Sequence, residues 1–135
     1  MNMTGLRILI IDDSDLCCAV LSVILRSDNF NIVGVAHDAV QGIHLAKLHK
    51  PDVVFLDVIM PDVSGLDILV ELGALLPETI IIMVSRLEHA EIIRCAMELG
   101  ADGYITKPFN SASVLGTMRR IKENFILAKP VPDQR

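Results

Sequence analysis

The sequence contains no tryptophan, one tyrosine and four phenylalanines, too few aromatic rings to build a stacking platform for nucleic-acid bases. Cysteine is equally sparse. Cys17, Cys18 and Cys95 form no C-x-x-C pair and no metal-like spacing with His37, His44, His49 or His89, which argues against a disulfide framework or a zinc site. Reduced thiols, buried or half-buried, are the expectation. No apolar run approaches the ~20 residues of a spanning helix, and "MNMTGLRILIIDDSD" passes from a short apolar run straight into acids, unlike a secretion signal. A cytoplasmic location away from membranes is expected. Positive charge is also in deficit: a formal net charge of −5 disfavours direct contact with nucleic acid.

What is abundant is aliphatic. Hydrophobic residues make up 52% of the 135-residue chain, which suits one domain whose sheet is buried on both faces. Short β-branched runs alternate with helix-period segments. The spacing predicts strands at Leu6–Ile11, Asn31–Ala36, Asp52–Leu56, Thr79–Val84 and Gly103–Thr106, the third and fourth central because they are the most apolar. Between them fall helical stripes: Leu16, Val20 and Ile24; Ala90, Ile93 and Met97; Leu115, Met118, Ile121 and Phe125. Gly100 reads as a helix C-cap. Strict β–α alternation predicts parallel strands, right-handed crossovers and a three-layer α/β sandwich. Residues 1–127 form the expected domain, and 128–135, with two prolines and mixed charge, a tail or the start of a linker.

Ligands of such a sheet bind beyond the carboxyl ends of the strands. There the first strand meets Asp12 and Asp13, the third Asp57, the fourth Ser85, and the fifth Lys107 and Pro108. Three converging carboxylates repel one another unless a cation lies among them. Oxygen donors of this kind suit Mg2+, which keeps several waters and often shares its shell with phosphate. Lys107 offers a point charge for a phosphoryl oxygen and Ser85 a neutral donor, so the parts needed for phosphoryl transfer are present.

"LIIDDS", "FLDVIMPDVSG", Ser85 after the fourth strand and "GADGYITKPF", in that order and spacing, resemble the receiver domain of two-component response regulators, the CheY-like superfamily. The resemblance covers almost the whole chain. It implies a flavodoxin-like, doubly wound (βα)5 fold with strand order 2-1-3-4-5. It also implies that Asp57 accepts a phosphoryl group from a sensor histidine kinase or a phosphotransfer protein. Asp12, Asp13, Asp57 and the backbone carbonyl of Ile59 would hold Mg2+; Lys107 and Ser85 would contact phosphoryl oxygens; Ser85 and Tyr104 would form the switch; and Lys107–Pro108 would be cis. Output would pass through the face of the fourth helix, fifth strand and fifth helix, here including Arg94, Glu98, Tyr104, Met118 and Lys122. That face would pair two copies, free an effector domain C-terminal to this chain, or dock a partner.

Plainer roles compete for several residues. Asp12, Asp13 and Ser14 are all good helix-capping types, yet capping uses one acid, not two beside Asp57. Ser85 also suits a cap, for the fourth helix. Asp62 fits a turn after Pro61, and Ser64 with Asp67 resembles a capping box; both acids are read as structural. The histidines do not cluster and receive no catalytic role. A phosphatase of the haloacid-dehalogenase type would need an aspartate where Ile59 stands. A flavodoxin would need a Ser/Thr- and Gly-rich loop where the first acids stand. A receiver that works without phosphate is disfavoured by the complete acid, hydroxyl and lysine set. Three positions depart from the family pattern. Arg86 replaces a usually small residue after Ser85, and Ile59 and Leu87 are aliphatic where fast-cycling members carry polar side chains. A long-lived aspartyl phosphate is the expectation.

Overall fold

In the computed structural model, residues 5–128 are described, with side chains through residue 124. The apolar runs become five strands: β1 (Arg7–Ile11), β2 (Asn31–Ala36), β3 (Val53–Asp57), β4 (Ile80–Ser85) and β5 (Gly103–Thr106). They alternate with α1 (Asp15–Ser27), α2 (Ala39–His49), α3 (Gly65–Leu75), α4 (Ala90–Glu98) and α5 (Ser111–Ala128). All pairings are parallel, in the order β2-β1-β3-β4-β5, as the family resemblance implies. β3 is the middle strand with β4 beside it, and every residue of both is buried.

Because side chains alternate across a strand, the sheet feeds two cores. Ile8, Ile10, Val53, Phe55, Ile82 and Val84 face α1 and α5, meeting Leu21, Leu25, Val114 and Met118. Leu9, Ile11, Val54, Leu56, Ile81 and Met83 face α2, α3 and α4, meeting Ala46, Ile68, Leu69, Leu72 and Ala96. Each such Leu or Ile contributes roughly 1.5–3 kcal/mol when fully buried. The sheet is thereby clamped from both sides, with its edge strands β2 and β5 partly exposed.

Two helical stripes are corrected. On α1, Leu16 is 74% and Val20 40% exposed, and the buried side is Cys18, Leu21, Ser22, Ile24 and Leu25. The helix carries two apolar stripes, and spacing alone does not say which one faces the sheet. On α4, Ala90 and Met97 are exposed while Ile93 is half-buried and Ala96 is buried. On α5, Met118 and Ile121 are buried and Leu115 packs at the core's edge. Met118, 2% exposed, therefore belongs to the core and not to the output face. The side chain of Phe125 lies outside the described residues, as do positions 129–135 of the expected tail.

The helix ends follow local chemistry. Ser14 caps α1, its Oγ accepting from Cys17 N at 3.2 Å. Asp38 caps α2 through Gln41 N at 2.8 Å. Ser64 caps α3 through Leu66 N at 3.1 Å, without the reciprocal Asp67 carboxylate bond of a full capping box among the described residues. The N-cap of α4 is His89, so Ser85 does not cap that helix. Gly100, with φ 116°, follows α4 in a conformation only glycine adopts freely.

Candidate functional site

The ladders run one residue past the apolar segments. Asp57 pairs with Val84, and Ser85 with Thr106, so both polar residues sit on rigid backbone where the sheet opens to solvent. Beyond them, Lys107 N donates to Ser85 O at 2.8 Å, fixing the start of the loop after β5, and the Lys107–Pro108 bond is cis. The three acids converge: ligand atoms of Asp12, Asp13 and Asp57 lie within 4.8 Å of one another. Asp12 and Asp57 are buried and Asp13 is exposed. Together with Ser14, Ile59, Arg86 and Lys107, Asp13 and Asp57 line a cavity of about 300 Å3.

Lys107 joins the two buried acids. Its Nζ lies 2.9 Å from Asp12 Oδ2 and 3.1 Å from Asp57 Oδ2. Burial works against its charge, but the carboxylates of Asp12 and Asp57 outweigh burial and raise its pKa above the usual lysine value. Asp57 is pushed above the ordinary carboxylate range, first by burial and then by the charge of Asp12, with Lys107 and the Ile59 N–H opposing. That N–H donates to Asp57 Oδ1 at 3.2 Å. Asp12 Oδ1 accepts from Ser14 N at 2.9 Å. Asp57 is thus held from two directions, one oxygen on a backbone donor and the other on an ammonium.

This donor set fits a small hard cation. Three carboxylates and one ammonium leave two formal negative charges; all side-chain ligands are oxygens, and Asp13 opens the cluster to water. Those are the conditions under which a hydrated divalent ion such as Mg2+ binds.

The approach of α3 to β3 is close. A Cβ on Gly65 would stand 1.9 Å from the Asp57 carbonyl oxygen, so only glycine lets α3 begin here. Above β4, Ser85 Oγ accepts from Leu87 N at 3.2 Å, and the Tyr104 hydroxyl donates to Leu87 O. The Leu87 and Tyr104 side chains both pack on the second core, so Leu87 turns away from the cavity while Ile59, 53% exposed, lines it.

Two contacts have no signal in the sequence. His37 Nδ1 lies 3.0 Å from Asp12 O, and its Nε2 3.4 Å from Asp15 Oδ1, tying the end of β2 to the turn that carries the acids. Asp62 is more than a turn residue: its carboxylate accepts from Ala39 N, at 3.3 and 3.1 Å to its two oxygens, and so braces the loop after Asp57 against α2. Each contact joins residues more than twenty positions apart, beyond the reach of local pattern.

A doubly wound parallel sheet with an acid cluster and a lysine at its carboxyl edge defines a flavodoxin-like fold with its polar site at the strand ends. The chain belongs to the response regulator receiver domain family, whose model matches residues 8–119. It is 33% identical over 115 residues to Protein CcdB of Bacillus subtilis, covering 85% of this chain and 96% of that protein. It is 35% identical over 132 residues to a protein-glutamate methylesterase/protein-glutamine glutaminase of Vibrio vulnificus. That match covers 95% of this chain but 38% of the relative, so the relative's named activity does not carry over. The share is similarly below half, 48%, for the probable transcriptional regulatory protein TcrX of Mycobacterium tuberculosis. Among solved structures it resembles the CheX–CheY–BeF3–Mg2+ complex of Borrelia burgdorferi, with a TM-score of 0.85 and 29% identity, covering 88% of this chain and 90% of that one. Among the described residues no helix is long and apolar enough to cross a membrane.

Proposed function

We propose that this chain is a phosphorylation-activated receiver in which Asp57 takes the phosphoryl group of a phosphohistidine on a sensor kinase or phosphotransfer protein. The observation that carries this reading is Lys107 Nζ seated between Asp12 and Asp57 at 2.9 and 3.1 Å, with Asp13 completing the cluster. A carboxylate oxygen of Asp57 attacks phosphorus as the P–N bond breaks, and the imidazole leaves with the electron pair. Asp12, Asp13, Asp57 and the Ile59 carbonyl would hold Mg2+, which would supply charge neutralisation when bound. Lys107 follows the transferred group and donates to one of its oxygens, keeping Asp12 as its second partner. The similar structures include a CheY with BeF3 and Mg2+ and a BeF3-activated DrrB receiver domain, in keeping with a metal-assisted acyl-phosphate site.

The switch follows from the Leu87 backbone, whose N–H and carbonyl hold Ser85 and Tyr104. Ser85 turns its hydroxyl to another phosphoryl oxygen and gives up the Leu87 N–H, and the Leu87 carbonyl that receives Tyr104 shifts with it. The change reaches the face of α4, β5 and α5, where Arg94 and Glu98 are exposed. An effector domain, a second copy or another partner would meet that face. On the donor side, Leu16, Val20 and Val23 expose an apolar stripe on α1. Leu16 and Val20 also line an open groove shared with Ser14, Arg86 and Lys107 at the phosphoacceptor cavity. A protein bringing its phosphohistidine to Asp57 would cover this stripe.

Intact mass after incubation with Mg2+ and phosphoramidate tests the reading. One phosphoryl adduct on the wild type and none on Asp57→Asn is expected; equal labelling of both places the chemistry elsewhere.

A further inference from the structure

Arg86 follows Ser85 at the end of β4 and lines the cavity over Asp57. It also lines the open groove on the α1 side, and with Ser14 and Lys107 it is common to both. Its side chain therefore stands on the rim between phosphoacceptor and groove. It is exposed, and among the described residues no carboxylate lies within the 4.0 Å of an ion pair to it, the ion pairs there being those of His37 and Lys107. The two cations of the cavity are thus in opposite states. Lys107 is engaged by Asp12 and Asp57, whereas Arg86 is uncommitted.

Charge arithmetic gives the free guanidinium a task. Before transfer the three acids carry three formal negative charges. Transfer removes the Asp57 carboxylate charge and adds a phosphoryl group of about two negative charges, so the cavity becomes more negative by one. Lys107, and the Mg2+ that the acids would hold, count equally before and after transfer and so do not meet the added charge. Arg86 is the cation of the cavity lining left to meet the added charge, and its planar fork matches a pair of phosphoryl oxygens in a way a lysine ammonium does not.

We propose that Arg86 is a further phosphoryl-recognition residue of this receiver, beside Lys107 and Ser85: it folds from the rim onto the phosphoryl oxygens at Asp57, draws anionic phosphodonors in, and shields the acyl phosphate from water. The proposal rests on Asp57 being the phosphoacceptor. It assigns to one side chain both donor affinity and a share of the acyl-phosphate lifetime.

The test compares wild type with Arg86→Met, which keeps length and loses charge, and with Arg86→Lys, which keeps charge and loses the fork. Phosphoramidate is the donor, labelling is followed by intact mass, and BeF3 binding is followed by Tyr104 fluorescence. Arg86→Met should raise the donor concentration for half-maximal rate about tenfold, equivalent to roughly 1.4 kcal/mol. It should also weaken BeF3 binding and shorten the acyl-phosphate lifetime, with Arg86→Lys in between. Donor dependence, BeF3 affinity and decay all unchanged in Arg86→Met would overturn the proposal, as would faster labelling, which marks Arg86 as a steric gate. Absence of Asp57-dependent label in the wild type would instead overturn the receiver reading, and this proposal with it.

Discussion

The Tyr104 hydroxyl donates to the carbonyl of Leu87, and the N–H of the same Leu87 donates to Ser85 at 3.2 Å. One residue of backbone thus connects the hydroxyl at the end of β4 with the aromatic ring on β5. Tyr104 is the single tyrosine of a chain without tryptophan, so the fluorescence comes from this one ring and its surroundings. Phosphoramidate with Mg2+ should change that fluorescence in the wild type and leave it flat in Asp57→Asn. Ser85→Ala should still take up the phosphoryl group while losing most of the fluorescence change. An undiminished change in Ser85→Ala would show that the signal does not travel through Leu87.

Asp57 is held at a cost to stability. Its pKa is raised above 3.8, by burial first and by Asp12 next, so the folded state binds its proton more tightly than the unfolded chain does. The Asp57 contribution to metal-free stability should therefore fall as pH rises from about 3.8 to the higher folded-state pKa, and stay reduced above it, as the difference between wild type and Asp57→Asn isolates. At neutral pH without metal, Asp57→Asn should gain about 1 kcal/mol, a rise on the order of 4 °C in Tm. Adding Mg2+ should raise the Tm of the wild type more than that of the variant. Thermal denaturation with EDTA and with Mg2+ checks both signs.

Ile59 lines the cavity with an aliphatic side chain, which offers no hydrogen bond to an attacking water. Ile59→Asn supplies one. The acyl phosphate should then decay about three- to tenfold faster, roughly 1 kcal/mol off the hydrolysis barrier, as followed by intact mass after donor removal. A wild-type lifetime of seconds, unchanged by the substitution, would show that this side chain does not govern hydrolysis.

Leu16, 74% exposed on α1, separates donor docking from chemistry. Leu16→Glu should slow transfer from a phosphorylated histidine protein about tenfold and leave labelling by phosphoramidate unaltered. Equal slowing with both donors would mean that the substitution disturbs the pocket itself.

Gly65 carries a constraint that only the packing reveals. Because a methyl group there would meet the Asp57 carbonyl oxygen at 1.9 Å, Gly65→Ala must push α3 away from β3. A loss of about 1–3 kcal/mol is expected, along with slower labelling because the Asp57 backbone moves. Chemical denaturation and phosphoramidate labelling on the same sample measure the two effects together.

Much of this molecule was legible before folding was considered. Strands buried on both faces must be apolar throughout, so the polar residues that end four of them stand out, and parallel order brings those ends to one edge. Asp12, Asp13, Asp57, Ser85 and Lys107 follow from that logic; the fold gathers the three acids and Lys107, while Ser85 is buried at the end of β4 with its hydroxyl on Leu87 N. What the sequence left open depends on how the crossovers seat the helices. Cys18, Leu21 and Leu25, and not Leu16 and Val20, turn toward the sheet; Met118 enters the core; Asp62 reaches Ala39 and His37 reaches Asp12. Local periodicity records that a residue is apolar or can accept a hydrogen bond. Which partner it meets across the fold is decided only when the layers pack, and the same packing sets Arg86 at the rim of the site with no ion-pair partner among the described residues.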